Sequence, residues 1–224
     1  MIEVAENVYH IPLFPRGMVN AYIVDGFLVD AGIRSSAPKL LRAIDQFGRH
    51  KIQGHVLTHA HPDHQGASAA VCQALNIPLW CGAQDADAMT RGLFADVSVS
   101  NLIIRLQQRY WVGPPYPVQR RLQEGDRLGE FAVLDVPGHS PGHIALWRER
   151  DGVLIAGDVV NNANLVTTRV RLSEPPASFT TDVRQNRASI KKLAQLRPRL
   201  VCVGHGPVLR DTAQLTALAN RLPD

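Results

Sequence analysis

Cysteine is scarce in this 224-residue chain: Cys72, Cys81 and Cys202 are odd in number and not closely paired. That argues against a disulfide framework and fits a reducing compartment, so a cytoplasmic protein is expected. No apolar run approaches the roughly 20 residues a spanning helix needs, and MIEVAENVYHIPLF places acidic residues where a secretory leader carries positive charge. Neither membrane insertion nor export is expected. Lys and Arg exceed Asp and Glu by 24 to 20, with a pI near 9.2, yet no block of like charge forms. A nucleic-acid partner is therefore not expected. There is no low-complexity tract, no interdomain linker and no Gly-x-Ser-x-Gly elbow to present a nucleophilic serine.

What remains is a chain with 45% hydrophobic residues, long enough to bury one sizeable core as a single domain over 1–224. Val8 to Ile11, Asn20 to Val24 and Phe27 to Asp30 read as strands, with Asp25-Gly26 suited to a tight hairpin. Leu40, Leu41, Ile44 and Phe47 recur at helical spacing between a Ser36 cap and Gly48, which predicts a helix over 37–47. His55 to Thr58 and Ile77 to Cys81 read as further strands flanking a helix over Ala67 to Leu75. Residues 84–118 break this rhythm. A helical stretch from Asn101 to Trp111, with Leu102, Ile103, Leu106 and Tyr110 on one face, runs into Gly113-Pro114-Pro115 and reads as an inserted helical flap. Tyr110 and Trp111 are expected to pack against the domain.

A second strand-rich group follows: Phe131 to Val136, Ile144 to Arg148 and Val153 to Ala156, with a turn at Asp151-Gly152. Asp182 is placed to cap a helix reaching Leu196, Leu200 to Val203 is a strand, and Thr212 to Leu222 a closing helix. Helices at both ends and two separate strand groups predict two sheets packed face to face with helices outside, an α/β layering unlike a doubly wound single sheet.

The chemistry concentrates in Thr58-His59-Ala60-His61-Pro62-Asp63-His64-Gln65-Gly66, with three imidazoles and a carboxylate in six residues. Imidazole nitrogen is a preferred ligand of zinc and related ions; His59 and His61, alternating on an extended loop, can converge on one ion while Asp63 and His64 face a second. Structural zinc sites are rich in cysteine, so this set suits an open catalytic site. His10, His50 and His55, isolated in sequence, read instead as surface or hydrogen-bonded core residues. Three glycine-flanked polar residues follow β-like runs: His139 in Pro137-Gly138-His139-Ser140-Pro141-Gly142-His143, Asp158 in Ala156-Gly157-Asp158, and His205 in Gly204-His205-Gly206.

In this order the motifs resemble the metallo-β-lactamase superfamily over nearly the whole chain. The resemblance implies a four-layer αβ/βα sandwich and two divalent metal ions, zinc before iron or manganese. It implies that His59, His61 and His139 bind one ion, that Asp63, His64 and His205 bind the other, and that Asp158 bridges. It further implies hydrolysis by a metal-bridging hydroxide, with Asp63 and Asp158 as the catalytic residues, Asp63 passing a proton to the leaving group, and support of a ligand histidine by Asp30. Thr58 and Ser140, beside the ligands, are candidates to hydrogen-bond them. His143 and the Asn161-Asn162-Ala163-Asn164 loop are candidates to contact substrate.

Within the superfamily the chain is most similar to small glyoxalase II-like hydrolases, which implies a small-molecule thioester or similar acyl substrate. The basic C-terminal extension that holds glutathione in that group is not expected after Leu222. Lactone hydrolysis is the first alternative, and a mononuclear iron persulfide dioxygenase the second.

Overall fold

The computed structural model describes residues 1–13, 18–93, 106, 108–164, 167 and 169–223. The first sheet has seven strands in sequential order: β1 (Ile2–Ala5), β2 (Val8–Pro12), β3 (Asn20–Val24), β4 (Phe27–Val29), β5 (Gly54–Leu57), β6 (Leu79–Gly82) and β7 (Arg120–Leu122). Its first four strands are antiparallel, and β4 through β7 run parallel. The second sheet has the order β12-β11-β10-β9-β8, from β8 (Arg127–Leu128), β9 (Phe131–Asp135), β10 (Ile144–Arg148), β11 (Val153–Gly157) and β12 (Leu200–Val203). Only its β11–β12 pair is parallel.

Strand alternation dictates the layers, because successive side chains leave opposite faces. Tyr22 and Val24 of β3 meet Phe131, Val133, Leu146 and Ile155 in the core between the sheets. Ala21 and Ile23, one position out of phase, turn the other way onto Leu40 and Ile44 of α1 (Ala37–Phe47) and Val71 of α3 (Ser68–Leu75). On the far side, Leu154 of β11 and Val201 and Val203 of β12 pack against Ile190 and Leu193 of α5 (Val183–Gln195) and Leu215 of α6 (Ala213–Arg221). Helix, sheet, sheet, helix is the four-layer αβ/βα sandwich that the sequence motifs imply.

The hairpin at Asp25-Gly26 forms as expected, with both residues at positive φ and Val24 opposite Phe27. α1 spans the predicted residues and closes on Gly48, whose amide bonds to Ile44 O at φ 106°. Ser36, however, makes no side-chain bond at the helix start, where Pro38 occupies the first turn. Two further short helices are α2 (Pro62–Gln65) and α4 (Ala86–Arg91). Strands β1, β7 and β8 and helix α4 were not expected from periodicity. Of the predicted flap helix, residues 101–105 and 107 lie outside the described residues. Leu106 and Tyr110 are exposed, so Tyr110 does not pack on the core; its ring instead lies 5.6 Å from the Arg109 guanidinium carbon.

Candidate metal centre

Strand direction gathers the site. Asp30 follows β4, the His59 to His64 loop follows β5, His139 follows β9, Asp158 follows β11 and His205 follows β12, so each lies beyond the C-terminal end of its strand. Parallel pairing of β4 with β5 and of β11 with β12 makes those ends adjacent within each sheet. The two sheets are tied there by Asn20 and Tyr22: Asn20 Nδ2 donates to Val203 O at 3.0 Å and to Gly206 O at 2.6 Å, and Tyr22 OH donates to Val203 O at 2.8 Å.

All seven sequence-predicted ligands converge. Three sets of donor atoms lie within 4.8 Å of one another: His59, His61 and His139; Asp63, His64 and His205; and His59, His64 and Asp158. Asp158 sits among the others, with its Oδ2 2.8 Å from His205 Nε2 and 3.6 Å from His139 Nε2, and its Oδ1 3.4 Å from His64 Nε2. Asp63 Oδ2 is 3.3 Å from His205 Nε2, and its side chain is 16% exposed against 5% for Asp158. Asp63 therefore stands at the solvent side of the cluster.

Four of the imidazoles are oriented from behind. Thr58 Oγ1 donates to Asp30 Oδ2 at 2.9 Å, so its lone pair accepts from His59 Nδ1 at 3.0 Å. Asp30 Oδ2 also accepts from His64 Nδ1 at 2.9 Å, and Asp30 Oδ1 accepts from Thr58 N at 2.8 Å. Thr180 Oγ1 donates to Pro176 O and accepts from His139 Nδ1 at 3.3 Å, while His205 Nδ1 donates to Met18 O at 2.5 Å. With the Nδ1 atoms of these four rings occupied outward, their Nε2 atoms face the interior; those of His59, His64 and His139, together with Asp158 Oδ1, are buried without a hydrogen-bond partner. Such orphaned polar atoms are costly in a dry interior, and they converge as the donor atoms of a metal site would. The residues present therefore fit divalent ions.

The electrostatics divide the cluster, with His64, like His205, opposed by burial but held above the ordinary imidazole range, in its case by Asp158 and Asp30. Burial, then the neighbouring His64 and His61, hold His59 well below the ordinary imidazole range, and burial with His61 does the same to His139. Burial alone would raise the Asp158 carboxyl, but His205 and His64 outweigh it and hold it well below the usual carboxylate range. His205 is opposed by burial yet pushed up to about 10 by Asp158 and Asp63.

Other expectations sort clearly. His10 bonds Asn20 Oδ1 at 2.7 Å, His55 bonds Leu28 O and Ser68 Oγ, and His50 is exposed, so all three are core or surface residues. His143 is buried rather than open to substrate: its Nε2 accepts from Asp158 N at 3.0 Å and its ring stacks on His59 at 4.6 Å. Asn161 and Asn162 are likewise buried, and Asn162 Nδ2 holds Pro207 O at 2.9 Å. Ser140 donates to Asp85 and not to a ligand. Sequence reasoning missed Asn20, Tyr22, Thr180 and Asp85, because each meets the site only through tertiary contact.

A buried cluster of imidazoles and carboxylates at one end of an αβ/βα sandwich is a candidate metal site. The chain belongs to the metallo-beta-lactamase superfamily, which it matches over residues 14–205, and it is a metal-dependent hydrolase. It is 32% identical over 238 residues to the probable metallo-hydrolase YflN of Bacillus subtilis (strain 168), a match covering 96% of this chain and 87% of that one. It is similar to the crystal structure of TTHA1623 in a di-iron-bound form, with a TM-score of 0.72, 30% identity, and coverage of 94% of this chain and 98% of that one. It is also 26% identical over 191 residues to the hydroxyacylglutathione hydrolase GloC of Haemophilus influenzae, covering 80% of this chain and 79% of that protein.

Proposed function

We propose that the protein is a binuclear hydrolase of thioesters or similar acyl substrates, with His59, His61 and His139 holding one ion, Asp63, His64 and His205 the other, and Asp158 shared. The observation that carries this reading is the pair of three-residue donor sets meeting around one buried carboxylate. When bound, divalent ions supply Lewis acidity toward an acyl carbonyl and a water acidic enough to ionise near neutral pH. Asp30, Thr58, Thr180 and Met18 O fix the imidazole tautomers, so the chain presents its donor atoms without reorganising. Asp63, the more exposed acid, is the group placed to pass a proton to the leaving group. The same reading takes residues 1–224 as one domain, with the segment around 84–118 as an insertion.

A thioester is favoured because a hydroxyacylglutathione hydrolase is among the relatives. Zinc is the first expectation, and the di-iron-bound form of a structural neighbour supports iron as the alternative. Elemental analysis of the purified protein, with a thioester and lactone panel assayed on wild type and Asp158→Ala, tests this. About two ions per chain, and thioester hydrolysis falling at least about 100-fold in the variant, are expected. One iron with oxygen consumption and no hydrolysis would replace this reading by the dioxygenase.

A further inference from the structure

Asp85 sits in the turn after β6, immediately before α4, and its side chain is buried at 1% exposure. A buried aspartate at that position ordinarily caps its own helix by accepting a bond from the first-turn amides. Asp85 makes no such bond. Its Oδ2 accepts from Ala60 N at 2.9 Å and from Ser140 Oγ at 2.6 Å, and its Oδ1 accepts from Gly142 N at 2.6 Å. Ala60 lies between His59 and His61; Ser140 and Gly142 lie between His139 and His143. One carboxylate thus joins two loops carried by different sheets, one after β5 and the other after β9.

We propose that Asp85 is a positioning residue that sets the spacing of His59 and His61 against His139, and so controls metal affinity at that position selectively. The contact is stiff. A Cβ on Gly82 would collide with the Gly142 carbonyl, and one on Gly142 would collide with the Asp85 backbone, so the turn and the His139 loop touch main chain to main chain. Interiors packed this closely transmit displacement rather than absorb it. The other donor set is held by different groups, with Asp30 on His64 and Met18 O on His205, and Asp85 bonds to neither. This selectivity is what a purely structural aspartate would not produce.

The proposal rests on the reading that His59, His61 and His139 share an ion, and metal binding tests it without an assay of turnover. Asp85→Asn keeps the shape but turns an NH2 toward groups that are themselves donors. Chelator competition on zinc-loaded protein is expected to show one ion weakened roughly 10- to 100-fold and the other changed less than about 3-fold. Anomalous diffraction at limiting zinc should place the depleted ion beside His59, His61 and His139. Ser140→Ala removes one of the three bonds while leaving the carboxylate, and should weaken the same position by a smaller factor, about 3- to 10-fold. It decides the matter if Asp85→Asn does not fold. Equal weakening of both ions, or unchanged affinity in a folded variant, overturns the proposal. A wild type holding a single ion beside His59, His61 and His139 would sink the binuclear reading alone, and Asp85→Asn would still have to weaken that ion. A single ion elsewhere would sink both.

Discussion

Thr58 has one hydroxyl hydrogen and two tasks. Because the hydrogen goes to Asp30, the oxygen is left to accept from His59, and the tautomer that exposes His59 Nε2 follows from that direction. Thr58→Val keeps the branched shape while removing both bonds. Metal affinity measured by chelator competition should fall roughly 10- to 100-fold, with thermal unfolding of the metal-free protein shifted far less. Equal affinity in the variant would show that the ring is held by packing alone. His55 carries a different prediction, since burial pushes it down to about 4 despite its bond to Leu28 O. The folded state keeps it neutral where the unfolded chain, with an ordinary value near 6.5, takes a proton. Its stabilising contribution is thus fully present above pH 6.5 and is lost as pH falls toward 4, by about 3 kcal/mol in all. Denaturant unfolding at pH 7.5 and 5.0 should show wild type losing more stability on acidification than His55→Gln. Parallel losses would remove His55 as the cause.

At the scale of elements, α5 begins where its cap is made: Asp182 Oδ1 accepts from Gln185 N at 2.9 Å. Its apolar residues Ile190 and Leu193 then lie on the outer face of the second sheet. Asp182→Ala should cost about 1 kcal/mol, read as a lower denaturation midpoint with unchanged slope. A change below about 0.3 kcal/mol would mean that packing holds the helix start without the cap. The cap, α1 and the Asp25-Gly26 hairpin were legible in the sequence because their signals are local. Strand β7 was not, since Arg120 and Arg121 are exposed and only Leu122 is buried, leaving no alternation to read. Strand β8 has two residues and exists only by pairing with β9. The candidate site was legible for another reason: a dense run of imidazoles has no ordinary structural use, whereas Asp85 looks like any helix-start aspartate until the loops it bonds are in place.

For the whole molecule, the question is whether the metal centre holds the fold or is held by it. Four apolar clusters are buried between and outside the sheets, and most of their residues are not metal ligands or next to one. Asn20 and Tyr22 join the two sheets at the end that carries the site, through bonds to backbone carbonyls that need no ion. The metal-free site retains charge partners of its own, including His205 against Asp158 and His64 against Asp30. The chain should therefore stay folded when its ions are stripped, unlike a small zinc domain whose core is the metal. Ions that bind only the folded state still stabilise it by mass action, about 3 to 4 kcal/mol each when present at 100 to 1,000 times their dissociation constant. In a chain of this length that corresponds to a rise in melting temperature of roughly 10 to 20 °C for two ions. Exhaustive chelation should lower the melting temperature by that amount while the far-ultraviolet circular dichroism at 25 °C is unchanged. Collapse of that signal at 25 °C would instead make the centre a structural keystone. Return of the melting temperature in two steps as metal is added back would further indicate two positions of unequal affinity, as the separate support of the two donor sets predicts.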